Sequence, residues 1–446
     1  MIDLDIPRLG EPKHRSPLLL STVRGDRVCN FVPDDERVLF DITIGASGGS
    51  ADAKAEDRSF EHAGPREHIY FDPGTLNAGI VTCGGLCPGT NNVIRAALME
   101  LVYHYRVQKV YGFRYGLSGL VPGGHPPIEL TPDLVDDIHH AGGSILGSSR
   151  GPQDVGTMVD TLEHMGINLF LIIGGDGTMR ASESIYDEVT RRGTEISIVG
   201  IPKTIDNDIY LVERTFGFET AFSIAIESVR AAHTEAKGYP NGIGLVRLMG
   251  RQSGYIAASA AVAEPDVNFV LIPEIPFTID SLLDALIDRL ERRSHAVIVV
   301  AEGAGQDIVS KEAGATGRDA SGNVKLLDIG LFLKERISAE LDRRGVTHSL
   351  KYIDPSYMIR SAPAFPNDSI FCSSLARNAV HAGMSGRTGM LVGLWNNEFT
   401  HVPLHAVAGQ RNTVDPEGDL WLAVIESTGQ PSQWTSTGIE EHNPKE

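Results

Sequence analysis

In the segment "IGGDGT", Gly174, Gly175 and Gly177 flank a lone carboxylate, Asp176, and Thr178 ends the motif. Glycines at the end of an apolar run let a ligand, often a phosphate, approach backbone N–H groups. A carboxylate among phosphates is repulsive unless a cation lies between them. Mg2+ suits that position, because it binds few protein carboxylates and takes water and phosphate oxygens as its other ligands. Asp176 is therefore a candidate Mg2+ holder, direct or through water. The alternative is an Asx turn, or the N-cap of a helix over 179–189.

A second cluster, "KTIDND", places Asp206 and Asp208 two residues apart, with Asn207 between them and Thr204 just before. Phosphoryl transfer to a hydroxyl needs a carboxylate that takes the proton as the new bond forms. Two acids on one loop can divide the work, one on the hydroxyl and one near the metal. A self-capped Asx turn would use the same residue types. In "CGGLCPGTN", Gly84 and Gly85 follow a strand and precede a helix, where phosphate can reach a helix N-terminus. The spacing is neither a dinucleotide fingerprint nor a P-loop.

The chain has 446 residues and a formal net charge of −19, from 58 acidic and 39 basic residues. Such a surface argues against nucleic acid and anionic membrane as partners. It makes the placement of cations informative. Arg150, Lys203, Arg247, Arg251 and the stretch from Lys351 to Arg360 all fall in or beside the glycine-rich and acidic clusters. An isolated arginine is usually a surface ion pair; this clustering suits a triphosphate and a sugar phosphate together. Mean hydropathy is near zero, and no apolar run approaches the ~18 residues of a membrane span. The opening "MIDLDIPRLGEPKHRS" has neither an apolar signal core nor transit-peptide composition, so a cytoplasmic enzyme is expected. Cys29, Cys83, Cys87 and Cys372 do not suggest a disulfide framework, and Cys83-x-x-x-Cys87 lacks a second pair to complete a zinc site.

These residues need elements to position them. Short apolar runs read as strands: "AGIVTC" (78–83), "KVYGF" (109–113), "NLFLIIGG" (168–175), "SIVGIP" (197–202), "GIGLVRLMG" (242–250), "NFVLIPE" (268–274) and "AVIVVAEGAG" (296–305). Helical patterns lie between them: a stripe from Val93 to Tyr105, a helix ending near Gly166, and stretches over 217–236 and 280–293. In "TPDLVDDIHHAGG", Thr131 as N-cap, Pro132 at the first helical position and Gly142 as a stop predict a further helix. Near-continuous apolar strands between helices mean parallel strands covered on both faces. The fold class is α/β, with two doubly wound, Rossmann-like domains of mostly parallel sheet, plus an N-terminal extension over 1–75. Ligands of such sheets bind beyond the C-terminal ends of the strands, where these clusters sit.

The motifs "VTCGGLCPGTNNVIR", "GGDGT", "PKTIDNDI", "GFETA", "GLVRLMGR", "VAEGAGQ" and "YIDPSYMIRSAP", in this order, resemble the 6-phosphofructokinases over about 68–430. Within that family they are most similar to the ATP-using branch of plants and trypanosomatids, which is related to the pyrophosphate-using enzymes. The resemblance implies a nucleotide-binding domain over 76–217 plus about 359–415, and a sugar-phosphate-binding domain over 218–358 plus about 416–446. It implies that Gly84, Gly85, Arg150 and Gly151 contact nucleotide phosphates, and that Gly174 to Thr178 wrap the nucleotide with Asp176 on Mg2+. Asp206 matches the proton acceptor for the sugar's 1-hydroxyl, with Thr204 and Ile205 beside it and Asp208 supporting the metal. Met249, Gly250 and Arg251 match sugar-binding positions, with Arg251 also approaching the transferred phosphoryl. Glu302 matches a carboxylate on sugar hydroxyls. Tyr357, Met358, Ile359 and Arg360, with Lys351, fall where the 6-phosphate is held. Substrates would be fructose 6-phosphate and ATP, and assembly a homodimer or homotetramer.

Three positions depart from the short bacterial allosteric enzymes: Lys203 replaces a glycine, Lys351 an arginine, and Gly242 an arginine that reaches a neighbouring subunit. The donor rests on two residues. Pyrophosphate users of this family carry aspartate where Gly177 stands, filling the space of an α-phosphate, so glycine permits ATP. Lys203 argues for pyrophosphate, since an ammonium there can hold its end. A steric clash excludes a nucleotide, whereas a spare lysine is tolerated, so ATP is the expected donor. The rivals are a pyrophosphate-dependent phosphofructokinase, a lipid or NAD kinase sharing only "GGDGT", and a non-catalytic regulatory subunit. The last would lose its acid or metal ligand, and Asp176, Asp206 and Arg251 are all present.

Overall fold

The computed structural model describes residues 2–43, 58–314, 317 and 325–434. Parts of the expected extension (44–57) and of the second expected domain (435–446 among them) therefore lie outside the described residues. The chain divides into two compact units. The first comprises 1–205, 209–219 and 360–412; the second comprises 206–208, 220–359 and 413–446.

The first unit is built on a nine-stranded sheet. Its centre is five parallel strands in the order Met390–Trp395, Ser197–Pro202, Ile167–Gly174, Asn77–Thr82 and Lys109–Phe113. Ile167–Gly174 is almost wholly buried, as expected of a strand with no polar face. Helices Val155–His164 and Asp176–Arg192 cover one face through a core that includes Met158, Leu162, Phe170, Ile172, Ile185 and Ile198. A β-carbon built on Gly383, in helix Pro366–Met384, would lie 2.2 Å from Leu169, so that helix comes close to the opposite face. Glycine makes this approach possible.

The extension does more than pack on this unit. Ser59–His62 and Arg37–Leu39 continue the sheet as antiparallel strands beyond Glu398–Pro403. Buried ion pairs fix them. Arg387, 1% exposed, bonds Glu61 and Asp34, and Arg66 reaches the same two carboxylates. Burial opposes the Glu61 charge, yet His401 and the two arginines hold its carboxyl far below the usual range. Apolar burial adds to these pairs, since Phe60 is fully buried against Phe40 and Trp395, but strands this short show no readable alternating pattern.

The predicted helix over 131–142 is not an α-helix. Thr131 Oγ1 does accept the Leu134 N–H at 3.2 Å, as an N-cap would, but only turns and a 3-10 segment, Ile138–His140, follow. Val135 is buried whereas Leu134 is exposed, so the stretch has no apolar stripe to bury. Gly142 serves close packing instead: a β-carbon there would fall 1.8 Å from the Ser361 carbonyl oxygen. The stripe to Tyr105 is helical, with its last turn, Glu100–His104, widened to a π-helix.

The second unit has four parallel strands in the order Phe269–Leu271, His295–Ala301, Gly242–Leu248 and Ser349–Ile353. Helices Ile279–Arg293 and Ile329–Arg343 pack Leu282, Leu286, Leu333 and Ile337 against Ile243, Leu245, Ile298 and Val300. On the other face, a β-carbon on Gly244 would meet the Ala232 carbonyl oxygen at 2.7 Å, which shows how closely helix Phe218–Lys237 approaches. Both sheets are thus wound on two sides, and every cluster named above leaves a strand at its C-terminal end or lies in a loop packed there. No helix among the described residues is long and apolar enough to cross a membrane.

Candidate active site

In the first unit three cations converge on one glycine turn. Strand Asn77–Thr82 ends at Cys83, and Gly84 turns the chain with φ at +81°. The turn is fastened to "GSSRG": the Gly84 N–H donates to the Ser149 carbonyl at 3.3 Å, and Ser148 Oγ donates to the Gly84 carbonyl at 2.6 Å. A β-carbon on Gly85 would fall 2.6 Å from Arg360 Nη2 and 3.5 Å from Arg150 Nη2. The two guanidinium ends therefore occupy the space a side chain at Gly85 would take. Gly151, beside Arg150, is also left-handed, with φ at +100°.

Lys203 lies beneath this turn. It is 5% exposed, its Nζ donates to the Gly85 carbonyl at 2.6 Å, and its backbone N–H donates to Gly174 at 2.9 Å. Burial lowers the pKa of the ammonium, and the Arg360 and Arg150 guanidiniums push the same way. Cys83 offers no compensating thiolate, because burial pushes its thiol up to about 12. Lys203 thus braces the first glycine turn against the "GGDGT" strand, a role its position before "TIDND" did not reveal.

Strand Ile167–Gly174 runs directly into helix Asp176–Arg192. A β-carbon on Gly174 would strike Thr178 Oγ1 at 2.3 Å, so this glycine lets the helix start immediately. The Thr178 and Met179 N–H groups both donate to the Gly175 carbonyl, at 2.8 and 3.0 Å. Asp176 is buried in the first helical turn. Its Oδ2 forms an ion pair with Arg180 Nη2 at 3.1 Å and accepts a hydrogen bond from Arg411 Nη2 at 3.2 Å, while its Oδ1 is buried with no hydrogen-bond partner. That bare oxygen fits a metal ligand. Among the described residues no group of three or more His, Cys, Asp or Glu could cage an ion. The donor set suits a cation held by one carboxylate and completed by water and phosphate oxygens. At Gly177 a β-carbon would meet nothing nearer than Arg180 Nη2, at 3.9 Å.

The chain leaves the first unit inside "TIDND", between Ile205 and Asp206. Thr215 Oγ1 holds the Thr204 carbonyl at 2.7 Å, and Ile205 is buried. In the second unit Ser253 Oγ holds the Asp206 carbonyl at 2.8 Å, and Asn207 takes a left-handed conformation with φ at +53°. Asp206 is partly exposed, whereas Asp208 is buried.

Strand Gly242–Leu248 leads to Met249, Gly250 and Arg251. The Gly303 N–H donates to the Gly250 carbonyl at 2.9 Å, and a β-carbon on Gly303 would lie 1.9 Å from the Arg251 carbonyl oxygen. The "AEGAG" and "MGR" loops are therefore packed backbone to backbone. Arg247 is not a free phosphate ligand. It bonds Glu302 at 2.8 Å and Asp354 at 2.5 Å, with Asp328 at 3.9 Å. Burial works against its charge, yet Glu302 and Asp354 raise its pKa above the ordinary value. Glu302 is thereby oriented by Arg247.

The remaining positions are spread. Tyr357 and Met358 are exposed on the short helix Ser356–Ser361, whereas Ile359 is fully buried and offers no side chain to a ligand. Arg360 belongs to the first unit, at the glycine turn. Lys351 sits in mid-strand opposite Gly244, with its ammonium over the Tyr239 ring, short of the level of Met249. Sequence reasoning missed Arg180 and Arg411. The i, i+4 spacing from Asp176 could have found the first; nothing local points to the second.

The sequence profile of the phosphofructokinase family matches residues 77–383. The chain is 46% identical to an ATP-dependent 6-phosphofructokinase of Amycolatopsis methanolica, over 98% of this chain and 97% of the other. It is 48% identical to an ATP-dependent 6-phosphofructokinase of Trypanosoma cruzi, over 82% of this chain and 76% of that one. Its fold matches that of a pyrophosphate-dependent phosphofructokinase from Marinobacter aquaeolei, with a TM-score of 0.66, 20% identity, and coverage of 79% of this chain and 91% of the other. The chain belongs to the phosphofructokinase family.

Proposed function

We propose that this chain is an ATP-dependent 6-phosphofructokinase that transfers the γ-phosphoryl of ATP to the 1-hydroxyl of fructose 6-phosphate. The observation that carries the donor choice is the open space at Gly177, where nothing lies within 3.9 Å of a built β-carbon. Lys203, the residue that argued for pyrophosphate, is already engaged with the Gly85 carbonyl. In this reading the first unit binds the nucleotide: Gly84, Gly85, Arg150 and Gly151 meet its phosphates, and Gly174 to Thr178 wrap it. Asp176 would hold Mg2+ through Oδ1, and the metal would offset charge on the phosphates. The second unit binds the sugar through Met249, Gly250, Arg251 and Glu302, and Asp206 takes the hydroxyl proton in a direct in-line transfer. Arg251 and Thr204 assist at the reacting groups. The family resemblance assigns Tyr357, Met358 and Lys351 to the 6-phosphate and Arg360 with them, although Arg360 lies at the Gly85 turn and is read here as meeting the nucleotide's phosphates; the resemblance also implies a cytoplasmic location and a homodimer or homotetramer.

The test is the initial rate with fructose 6-phosphate and Mg2+, offering ATP and pyrophosphate in parallel. Product formation with ATP alone supports the reading. Product with pyrophosphate alone overturns the donor assignment.

A further inference from the structure

Strand Gly242–Leu248 is flanked by the parallel strands His295–Ala301 and Ser349–Ile353. Arg247 sits near its C-terminal end, in register with Val300 on one side and one residue past the Val246–Ile353 pair on the other. Each flanking strand sends it a carboxylate. Glu302, just after the first, accepts from Arg247 Nη2 at 2.8 Å, and Asp354, just after the second, accepts from Nη1 at 2.5 Å. Asp328 stands 3.9 Å from Nε; it also caps helix Ile329–Arg343 through the Leu331 N–H and accepts from the Tyr352 hydroxyl. The Arg247 and Glu302 side chains are 15% exposed and that of Asp354 is 32%, so solvent screens these pairs only in part.

Asp354 has a second arm. Its Oδ1 accepts from the Ser356 N–H at 3.0 Å and from the Ser356 hydroxyl. Pro355, between the two, has no N–H to offer, so this Asx turn leads straight into helix Ser356–Ser361. A helix of six residues does not hold its shape by itself. Tyr357 and Met358 stand on its first turn and are exposed, so the bonds from Asp354 at Ser356 help to aim them.

We propose that Asp354 is a positioning residue that fixes both ends of the sugar-phosphate grip at once. Through Arg247 it aims Glu302 at the sugar hydroxyls, and through Ser356 it aims the turn that carries Tyr357 and Met358 to the 6-phosphate. This rests on the reading of Glu302, Tyr357 and Met358 as sugar-phosphate ligands and adds the residue that joins them. Ion pairs shielded from water add little net stability over apolar residues of the same volume. What this group adds is direction, because one guanidinium spans carboxylates from two neighbouring strands.

The test uses the full chain. Fructose 6-phosphate is titrated by calorimetry, and the KM for ATP is measured alongside. Asp354→Asn keeps an oxygen for Ser356 but loses the charge that holds Arg247, Ser356→Ala cuts the other arm, and Asp354→Ala cuts both. Asp354→Asn should weaken fructose 6-phosphate about tenfold and Ser356→Ala about threefold, with the KM for ATP unmoved in each. Adding Ser356→Ala to Asp354→Ala should weaken binding no further. Glu302→Gln should cost less affinity in the Asp354→Asn background than in the wild-type chain, which a merely structural role would not produce. Equal costs in the two backgrounds, or a KM for ATP that rises in step with the loss of fructose 6-phosphate, overturns the proposal. Glu302→Gln alone separates the two levels. Unchanged fructose 6-phosphate binding in that variant refutes the reading of Glu302 and the proposal with it. Weakened binding there, with Asp354→Asn unmoved, refutes only the role of Asp354.

Discussion

At the glycine turn of the first unit, Arg150 and Arg360 point at the position a Gly85 side chain would occupy, with Lys203 bonded to the same backbone from beneath. At the end of strand Gly242–Leu248 in the second unit, Arg247 is instead enclosed by Glu302, Asp354 and Asp328. Both regions lie at strand ends, and both looked equally basic in sequence. In the first, glycines remove side-chain bulk and leave cations gathered around bare backbone, which suits a polyphosphate. In the second, carboxylates neutralise the arginine and fix Glu302, which suits recognition of hydroxyl groups. The difference lies in what surrounds the cation rather than in the cation itself.

The largest effect expected belongs to neither arginine set. Asp206→Asn should lower kcat by about 10²–10⁴-fold, the usual loss for a general base, while calorimetric ATP affinity stays within a factor of two or so. An unchanged kcat would move the proton acceptor elsewhere. Next, Arg360→Gln should weaken ATP by roughly 10- to 100-fold if the turn is the phosphate cradle, the scale of one charge-assisted hydrogen bond. A rise confined to the KM for fructose 6-phosphate would return Arg360 to the sugar's 6-phosphate and blur the contrast. Smaller in its effect on the reaction, Arg247→Met should cost about 3 kcal/mol of stability, because it strands carboxylates that now share one guanidinium. Its ATP KM should hardly move. A loss of ATP affinity without a fall in melting temperature would make Arg247 a phosphate ligand after all.

Much of this was legible in the chain. The parallel strands were readable as unbroken apolar runs, and the glycine and carboxylate clusters fell where the fold must leave strand ends. The helix expected over 131–142 failed because local cap signals cannot substitute for an apolar stripe. The short strands Arg37–Leu39 and Ser59–His62 left no pattern, since three or four residues show no period and part of what holds them is a buried ion pair from Glu61 to Arg387, hundreds of positions away. The same limit hid Arg411 and the partners of Arg247. Residue type and spacing reveal a charge, but only three-dimensional contact reveals whether a partner already occupies it.

The most direct test of the donor assignment is Gly177→Asp, assayed with ATP and with pyrophosphate. A β-carbon at Gly177 meets nothing nearer than Arg180 Nη2, at 3.9 Å, so the variant should keep its melting temperature. Its added carboxylate would meet the nucleotide's phosphates, and like charges at that range cost several kcal/mol. The account predicts a fall in kcat/KM for ATP of about 100-fold or more, with any activity toward pyrophosphate spared. An ATP rate equal to that of the wild-type chain would contradict it.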